Sequence, residues 1–513
     1  MFGLPKILIV YAIAIPLALI IGYALSTGLA STGDEMNLMI VALAVCFLLL
    51  PIFFKWHHIL MIFSWNAALT IPFLPGSLPF WLLLGVVSFG ISWLNGLLTG
   101  ARFLRVPELT RPLIFLGSVV LLTGLLRGGI GLSAFRSASY GSRHYVFVLV
   151  SILGYFAFSA VRIPLEKTKG VAALYLLSAT TNLLSSVVFM LGPAFYFLFL
   201  LTTIDTRSFE LITSPTALVG MERLSSVSTV CAAFVSYFLL RWGIRGTFSY
   251  GHPWRGVLFV ATLFLSLLGG FRAVELMISL LLLIQFTIEK LWLTRFTPIL
   301  LGLAAAAGVL LFAFSERLPL SAQRALSFLP VKVDSTVEYD AEGSVEWRLA
   351  MWQVLIPEIP HYFLLGKGYS IDPEEIYFAN IGGGAGDPAA QAEIVAGDYH
   401  SGPLSLIIPL GIWGVAGFFW LLGAGINVLY RNFRYGDPAL RNINAFFLAY
   451  FLMESIVFFM VFGAFKNQLF MFTGILGMSV CLNGGAAKPP RVVARAAGVA
   501  IVARSQSPVS VRV

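Results

Sequence analysis

Five side chains have the types needed to hold a phosphate-linked group and break its bond: Arg223, Arg272, Arg324, Arg348 and His400. A guanidinium grips phosphate oxygens through paired hydrogen bonds and keeps its charge at any physiological pH. Arg272 follows the tight bend Gly269-Gly270-Phe271, which puts it at the end of an apolar segment. Arg223 stands at the start of another apolar segment, and Arg324 at the start of a long polar stretch. Arg348 lies on a short amphipathic helix expected over Ser344–Ile356, with Trp352 one turn on as a supporting residue. His400 directly precedes Ser401-Gly402-Pro403, which reads as a helix cap and first turn. A neutral imidazole there can take a proton from an attacking hydroxyl, and the positive end of the following helix disfavours the imidazolium. The rival role for His400 is an N–H donor to the phosphate. The chemistry these residues suit is recognition of a lipid-borne phosphate near a membrane surface.

Each residue also has a structural explanation. Arg272 could snorkel as a helix-end anchor or pair with Glu275 one turn away, so Glu275 enters as a supporting residue. Arg223 and Arg324 could be surface anchors, and Arg348 could pair with Glu346. A histidine at the mouth of a span could cap or pack. Glu454, inside an apolar run, reads as a bond within the bundle. The six histidines are scattered without ligand spacing and the three cysteines fall in apolar runs, so no metal site and no cofactor is expected.

The elements that position these groups are membrane spans. Of 513 residues, 58% are hydrophobic and 11% charged, with a mean hydropathy of +0.90. A soluble chain of this length needs more polar residues to cover its surface. Apolar runs of about 20 residues, the length that crosses a hydrocarbon core, recur along the chain. Spans are expected near 7–25, 37–54, 58–74, 79–98, 113–132, 144–161, 170–191, 224–240, 254–270, 272–288, 298–314, 403–429, 443–462 and 469–482. The first is read as a retained helix and not a signal peptide, because more spans follow at once. The fold class is therefore all-α, a polytopic transmembrane helical bundle of 12–14 spans with one large, partly helical extracytoplasmic loop. Its organisation is bundle over 1–314, loop over 315–402, bundle over 403–483 and a basic tail over 484–513.

Charge gives the expected orientation. Lys6, Lys55, Arg102, Arg105, Arg162, Arg241, Arg245, Lys290, Arg295, Arg431 and Arg434 fall in alternate connections, which places both termini in the cytoplasm. The connection with Arg136 and Arg143 is the exception. The loop 315–402 holds 13 of the chain's 24 acidic residues against five cations, and by the alternation it is extracytoplasmic. The net charge of +9 reads as cytoplasmic flanks and not as nucleic-acid binding.

The residues around the bend and the loop resemble the O-antigen ligase and O-antigen polymerase superfamily of bacterial envelope proteins. The features that carry the resemblance are Arg272 after the Gly-rich bend, Arg348 four residues before Trp352, the stretch from Pro360 to Gly366 and Gly368, and His400 before an apolar run with Gly411 and Gly414. It spans roughly Leu218 to Phe419. The resemblance implies a metal-independent glycosyltransferase in the bacterial inner membrane. Its donor would be a glycan on undecaprenyl pyrophosphate and its acceptor a hydroxyl of a lipid or glycan, met at the periplasmic face of the bilayer. His400 would be catalytic, and Arg272, Arg348, Arg324 and Arg223 would bind the donor pyrophosphate. A transporter or flippase of a lipid-linked anionic glycan is the alternative, although no internal repeat of the kind common in transporters is present. A structural scaffold would leave the aromatic and arginine pattern of the loop helix unexplained.

Overall fold

A computed structural model describes residues 54–71, 78–100, 102–128, 143–202, 224–370, 394 and 397–489. The expected spans at 7–25 and 37–54, Arg223, and all of the basic tail beyond residue 489 lie outside the described residues. Helices build the rest, and among the described residues β pairing is limited to two isolated bridges. The helices are α1 (54–65), α2 (Phe80–Thr99), α3 (Pro107–Arg127), α4 (Arg143–Phe158), α5 (Leu165–Leu177), α6 (Leu183–Leu191), α7 (Ser225–Thr247), α8 (Pro253–Leu267), α9 (Arg272–Ile288) and α10 (Phe296–Phe314). They continue with α11 (Leu320–Leu326), α12 (Ser335–Leu355), α13 (Ile359–Tyr362), α14 (Gly402–Tyr435), α15 (Arg441–Met460) and α16 (Phe465–Asn483). Among the described residues eight helical stretches are long and apolar enough to cross a membrane, and α4 and α8 are shorter apolar helices. The chain is a multi-pass membrane protein.

Two expected spans and the expected loop helix differ in kind from the observed helices. The helix expected over 58–74 stops at 65. The one expected over 170–191 starts at Leu165 and narrows to a 3-10 turn over Ser178–Asn182, where Ser178, Thr180 and Thr181 turn their hydroxyls onto carbonyls three residues back. Such side-chain bonds compete with the regular ladder. In the loop, the short helix expected over Ser344–Ile356 is the second half of a 21-residue helix, α12. Asp334 caps it by accepting from the Thr336 amide at 2.9 Å, and that amide holds the Asp334 carboxyl below the usual carboxylate range.

α16 is the centre of the bundle and packs on α4, α14 and α15. Its small residues let the neighbours approach closely. A Cβ on Gly474 would strike the Trp65 indole, and one on Gly477 would strike Phe158. Phe418, Phe458, Phe465 and Phe472 fill the α14–α15–α16 interface as one aromatic group. The connections sort to two ends of the bundle. At one end Arg431 pairs with Glu108 at 2.9 Å, and Asn432, Asn444, Ser479 and Asn483 bond to one another across three helices. At the other end lie the described parts of the 315–402 segment, the α8–α9 bend and the α15–α16 turn.

α14 is broken at its first third, and the break receives the loop. Pro409 and Gly411 interrupt the helix, with Gly411 in the left-handed region at φ 62°. The freed groups are taken up by the stretch from Phe363 to Gly368. Lys367 N donates to Ile408 O at 2.7 Å, Gly368 N to Pro409 O at 2.9 Å, and Ile412 N to Phe363 O at 2.7 Å. A Cβ on Gly411 would sit 2.8 Å from Leu364 O. Gly411→Ala should therefore lose about 2–3 kcal/mol, from a disfavoured backbone conformation and a clash with a docked main chain. Thermal unfolding in detergent would register this as a lowered Tm, and an unchanged Tm would mean that the break does not depend on glycine.

Candidate functional site

The site is assembled by α12, which touches the α8–α9 bend on one side and the 397–408 segment on the other. Asp340, Ser344 and Arg348 recur every four residues and share one face of the helix. Arg324 Nε donates to Asp340 Oδ2 at 2.6 Å and its Nη1 donates to Gly270 O at 2.7 Å. Arg272 Nη2 donates to Ser344 Oγ at 3.0 Å and to Ala341 O at 3.4 Å. Arg348 follows on the same face, and the charges of both Arg348 and Arg324 act on Arg272. The bend has no room for larger residues. A Cβ on Gly269 would collide with the Ser228 hydroxyl, and Gly270 sits at φ 76° against Ser321.

A neighbouring face of α12 carries Trp347, Met351, Trp352 and Leu355. The Trp347 ring lies edge-on to the His400 ring, with centroids 5.1 Å apart. Trp352 Nε1 donates to Tyr399 O at 3.0 Å, and Met351 and Leu355 pack with Tyr399, Leu404 and Ile408 in a small separate core. His400 itself has φ 46°, a left-handed conformation that is uncommon outside glycine. Such conformations persist only where the surroundings fix them, and they cluster at functional sites. Here the surroundings are substantial. Gly397 rests on His144 and Tyr369. Asp398 lies 3.9 Å from Lys466 Nζ, which donates to His144 Nε2 at 2.9 Å. Gly402 then starts α14 with its Cα pressed so closely on Phe458 that a Cβ would overlap the Phe458 carbonyl.

The structure thus brings Arg272, Arg324, Arg348, Trp352 and His400 to the same end of the bundle around one helix. Arg324 is set apart from the others. It is 7% exposed, and it ties the bend to Asp340 inside the protein. By contrast, Nε and Nη1 of Arg272 donate to no described residue. Glu275 is buried beside Ser266 and Cys231 and forms no ion pair with Arg272 among the described residues. Glu454 accepts from Gln468 within the bundle. Among the described residues no group of three or more His, Cys, Asp and Glu side chains is placed to hold a metal ion.

Sequence reasoning missed Trp347, Asp340 and Ser344. The signal for Asp340 and Ser344 was the four-residue spacing Asp340-Ser344-Arg348, which is visible only if the helix is begun at Asp334. It also missed Lys466 and His144, which are 322 positions apart and give no local signal.

No protein-family model matches the sequence, and no curated protein matches it either. Fold and site define the class: an all-helical, multi-pass membrane protein that gathers arginines and a strained histidine around α12 at one end of its bundle.

Proposed function

We propose that the chain is a membrane glycosyltransferase. It would move a glycan from undecaprenyl pyrophosphate to an acceptor hydroxyl at the periplasmic face of the bacterial inner membrane, in the manner of O-antigen ligases and polymerases. The observation that carries this reading is the bridging role of α12, which links Arg272 through Ser344 and His400 through Trp347. The acceptor oxygen attacks the anomeric carbon while the bond from that carbon to the pyrophosphate oxygen breaks. The lipid pyrophosphate departs with the bonding electrons, and His400 takes the acceptor's proton. Arg272 and Arg348 stabilise the charge that develops on the leaving group. The linkage is already activated, so no soluble energy source is required.

Two further observations support it. An apolar cavity of about 250 Å³ begins at Val274, two residues into α9 from Arg272, and continues along Met277, Ile278 and Leu281. An isoprenoid chain suits such walls, with its pyrophosphate at the helix end. The opposite end of the bundle is tied by the asparagine network and the Arg431–Glu108 pair, which suits a fixed one-sided site.

A strain lacking the gene should accumulate lipid-linked glycan on the outer leaflet. Single unpolymerised units would indicate polymerase activity, and finished polymer left on the carrier would indicate ligase activity. Intermediates trapped on the inner leaflet would instead make the protein a flippase and remove this proposal. Transfer in isolated membranes should also survive a divalent-metal chelator. Loss of transfer that one divalent ion restores would overturn the metal-independent mechanism.

A further inference from the structure

At the end of the bundle away from the candidate site, α8 and α10 stand apart. The space between them is about 480 Å³ and is walled by Val257, Phe248, Phe296 and Ile299, with Arg295 at its edge. No side chain of α10 is buried, and Val257 on the facing side of α8 is 67% exposed. The Arg295 guanidinium lies over the Tyr250 ring at 4.9 Å and near the Phe296 ring at 5.8 Å. Stacking uses the face of a guanidinium and leaves its N–H groups directed outward in its own plane. Among the described residues Arg295 has no hydrogen-bonded or acidic partner. The nearby carboxylate of Glu289 is committed to the Ile244 and Arg245 amides of the kinked α7 end, at 2.8 and 3.3 Å. Tyr250 and Trp292 are exposed at the same level, as aromatic residues at a membrane interface are.

We propose that this groove binds an anionic phospholipid, with one acyl chain between α8 and α10 and the phosphate on Arg295. The walls accept a hydrocarbon chain, and the guanidinium accepts a phosphodiester. The choice of an anionic over a zwitterionic headgroup follows from charge. None of the residues lining the groove is acidic, so a choline or ethanolamine ammonium would find no partner. Arg245, Arg255 and Lys290 at the same end add positive potential. This site does not depend on the glycosyltransferase reading.

The full chain, reconstituted in phosphatidylcholine vesicles containing a minor fraction of phosphatidylglycerol and then extracted in mild detergent, should retain phosphatidylglycerol above its share of the vesicle. The expected enrichment is about fivefold, the factor one cation contributes near anionic lipid. Arg295→Gln and Val257→Trp should each bring the retained ratio down to that of the vesicle, whereas Arg441→Gln, a cation of the same end outside the groove, should leave it unchanged. Wild-type protein that retains the two lipids in their vesicle ratio overturns the proposal without any variant. So does enrichment that survives both groove substitutions. If Val257→Trp instead abolished self-association and left the lipid ratio intact, the groove would belong to a second copy of the chain.

Discussion

Arg272→Lys and Arg348→Lys should each lower glycan transfer by about 2–4 kcal/mol of transition-state stabilisation, roughly 30- to 900-fold in rate, while the protein inserts and folds normally. Lysine keeps the charge but loses the planar two-donor fork that matches a pyrophosphate. In Arg272 one nitrogen is held by Ser344 and Ala341, which fixes the plane of the group, and two further nitrogens donate to no described residue. An ammonium in the same place could keep Ser344 or reach the phosphate, but has no rigid geometry for both. Arg324→Lys is the contrast. Its guanidinium joins Asp340 and the Gly270 carbonyl inside the protein, so its loss should appear first as a lowered Tm and as mispositioning of α12. Rates in reconstituted membranes and unfolding in detergent separate the two patterns. Near-normal transfer by both Arg272→Lys and Arg348→Lys would end the phosphate-clamp idea.

His400→Ala should abolish transfer, and how it does so distinguishes the two chemical roles of the ring. A general base acts only on the attacking hydroxyl, so donor binding should survive its removal. A phosphate contact contributes to donor binding as well, so affinity and rate should fall together. Binding of the lipid-linked donor to the purified variant, measured beside transfer, decides between them. The backbone complicates alanine at this position, because φ 46° is unfavourable for any residue with a Cβ. His400→Asn is therefore the companion variant: asparagine tolerates the left-handed region and cannot serve as a base near pH 7. A His400→Asn protein with wild-type transfer would remove the histidine from the chemistry altogether.

The fold class was legible because the bilayer imposes it. Runs of about 20 apolar residues can only be satisfied as helices there, and hydropathy reports them directly. The same signal failed where polar side chains act on the local backbone. It did not register the 3-10 turn at Ser178–Asn182, nor the early end of the helix at residue 65. Arg272 and His400 could be picked out because each sits beside a local marker, a Gly-Gly bend in one case and a Ser-Gly-Pro helix start in the other. Arg348 was picked out through Trp352, but the reach of its helix was not. The run from Ser335 to Gly343 is acidic and its apolar side is only Val337 and Ala341, so the Asp334 cap, the burial of that pair and the tertiary bonds of Asp340 and Ser344 together fix it as helix.

By itself the sequence determined that apolar segments cross the bilayer repeatedly as helices, which connections are basic, and which residue types stand near the bend and the loop. Only the tertiary structure decided which of those residues meet. Arg324 turned inward onto Asp340 because a guanidinium excluded from water needs a carboxylate and a carbonyl at hand, and the bend and α12 supply both. Glu275, one turn from Arg272, became buried beside Ser266 and Cys231 because the helix face it occupies packs inward, a direction that spacing along one helix does not report. Lys466, His144 and Asp398 came together from three distant parts of the chain to hold the strained segment at His400, because contacts across a helical bundle are set by which faces pack and not by separation in sequence.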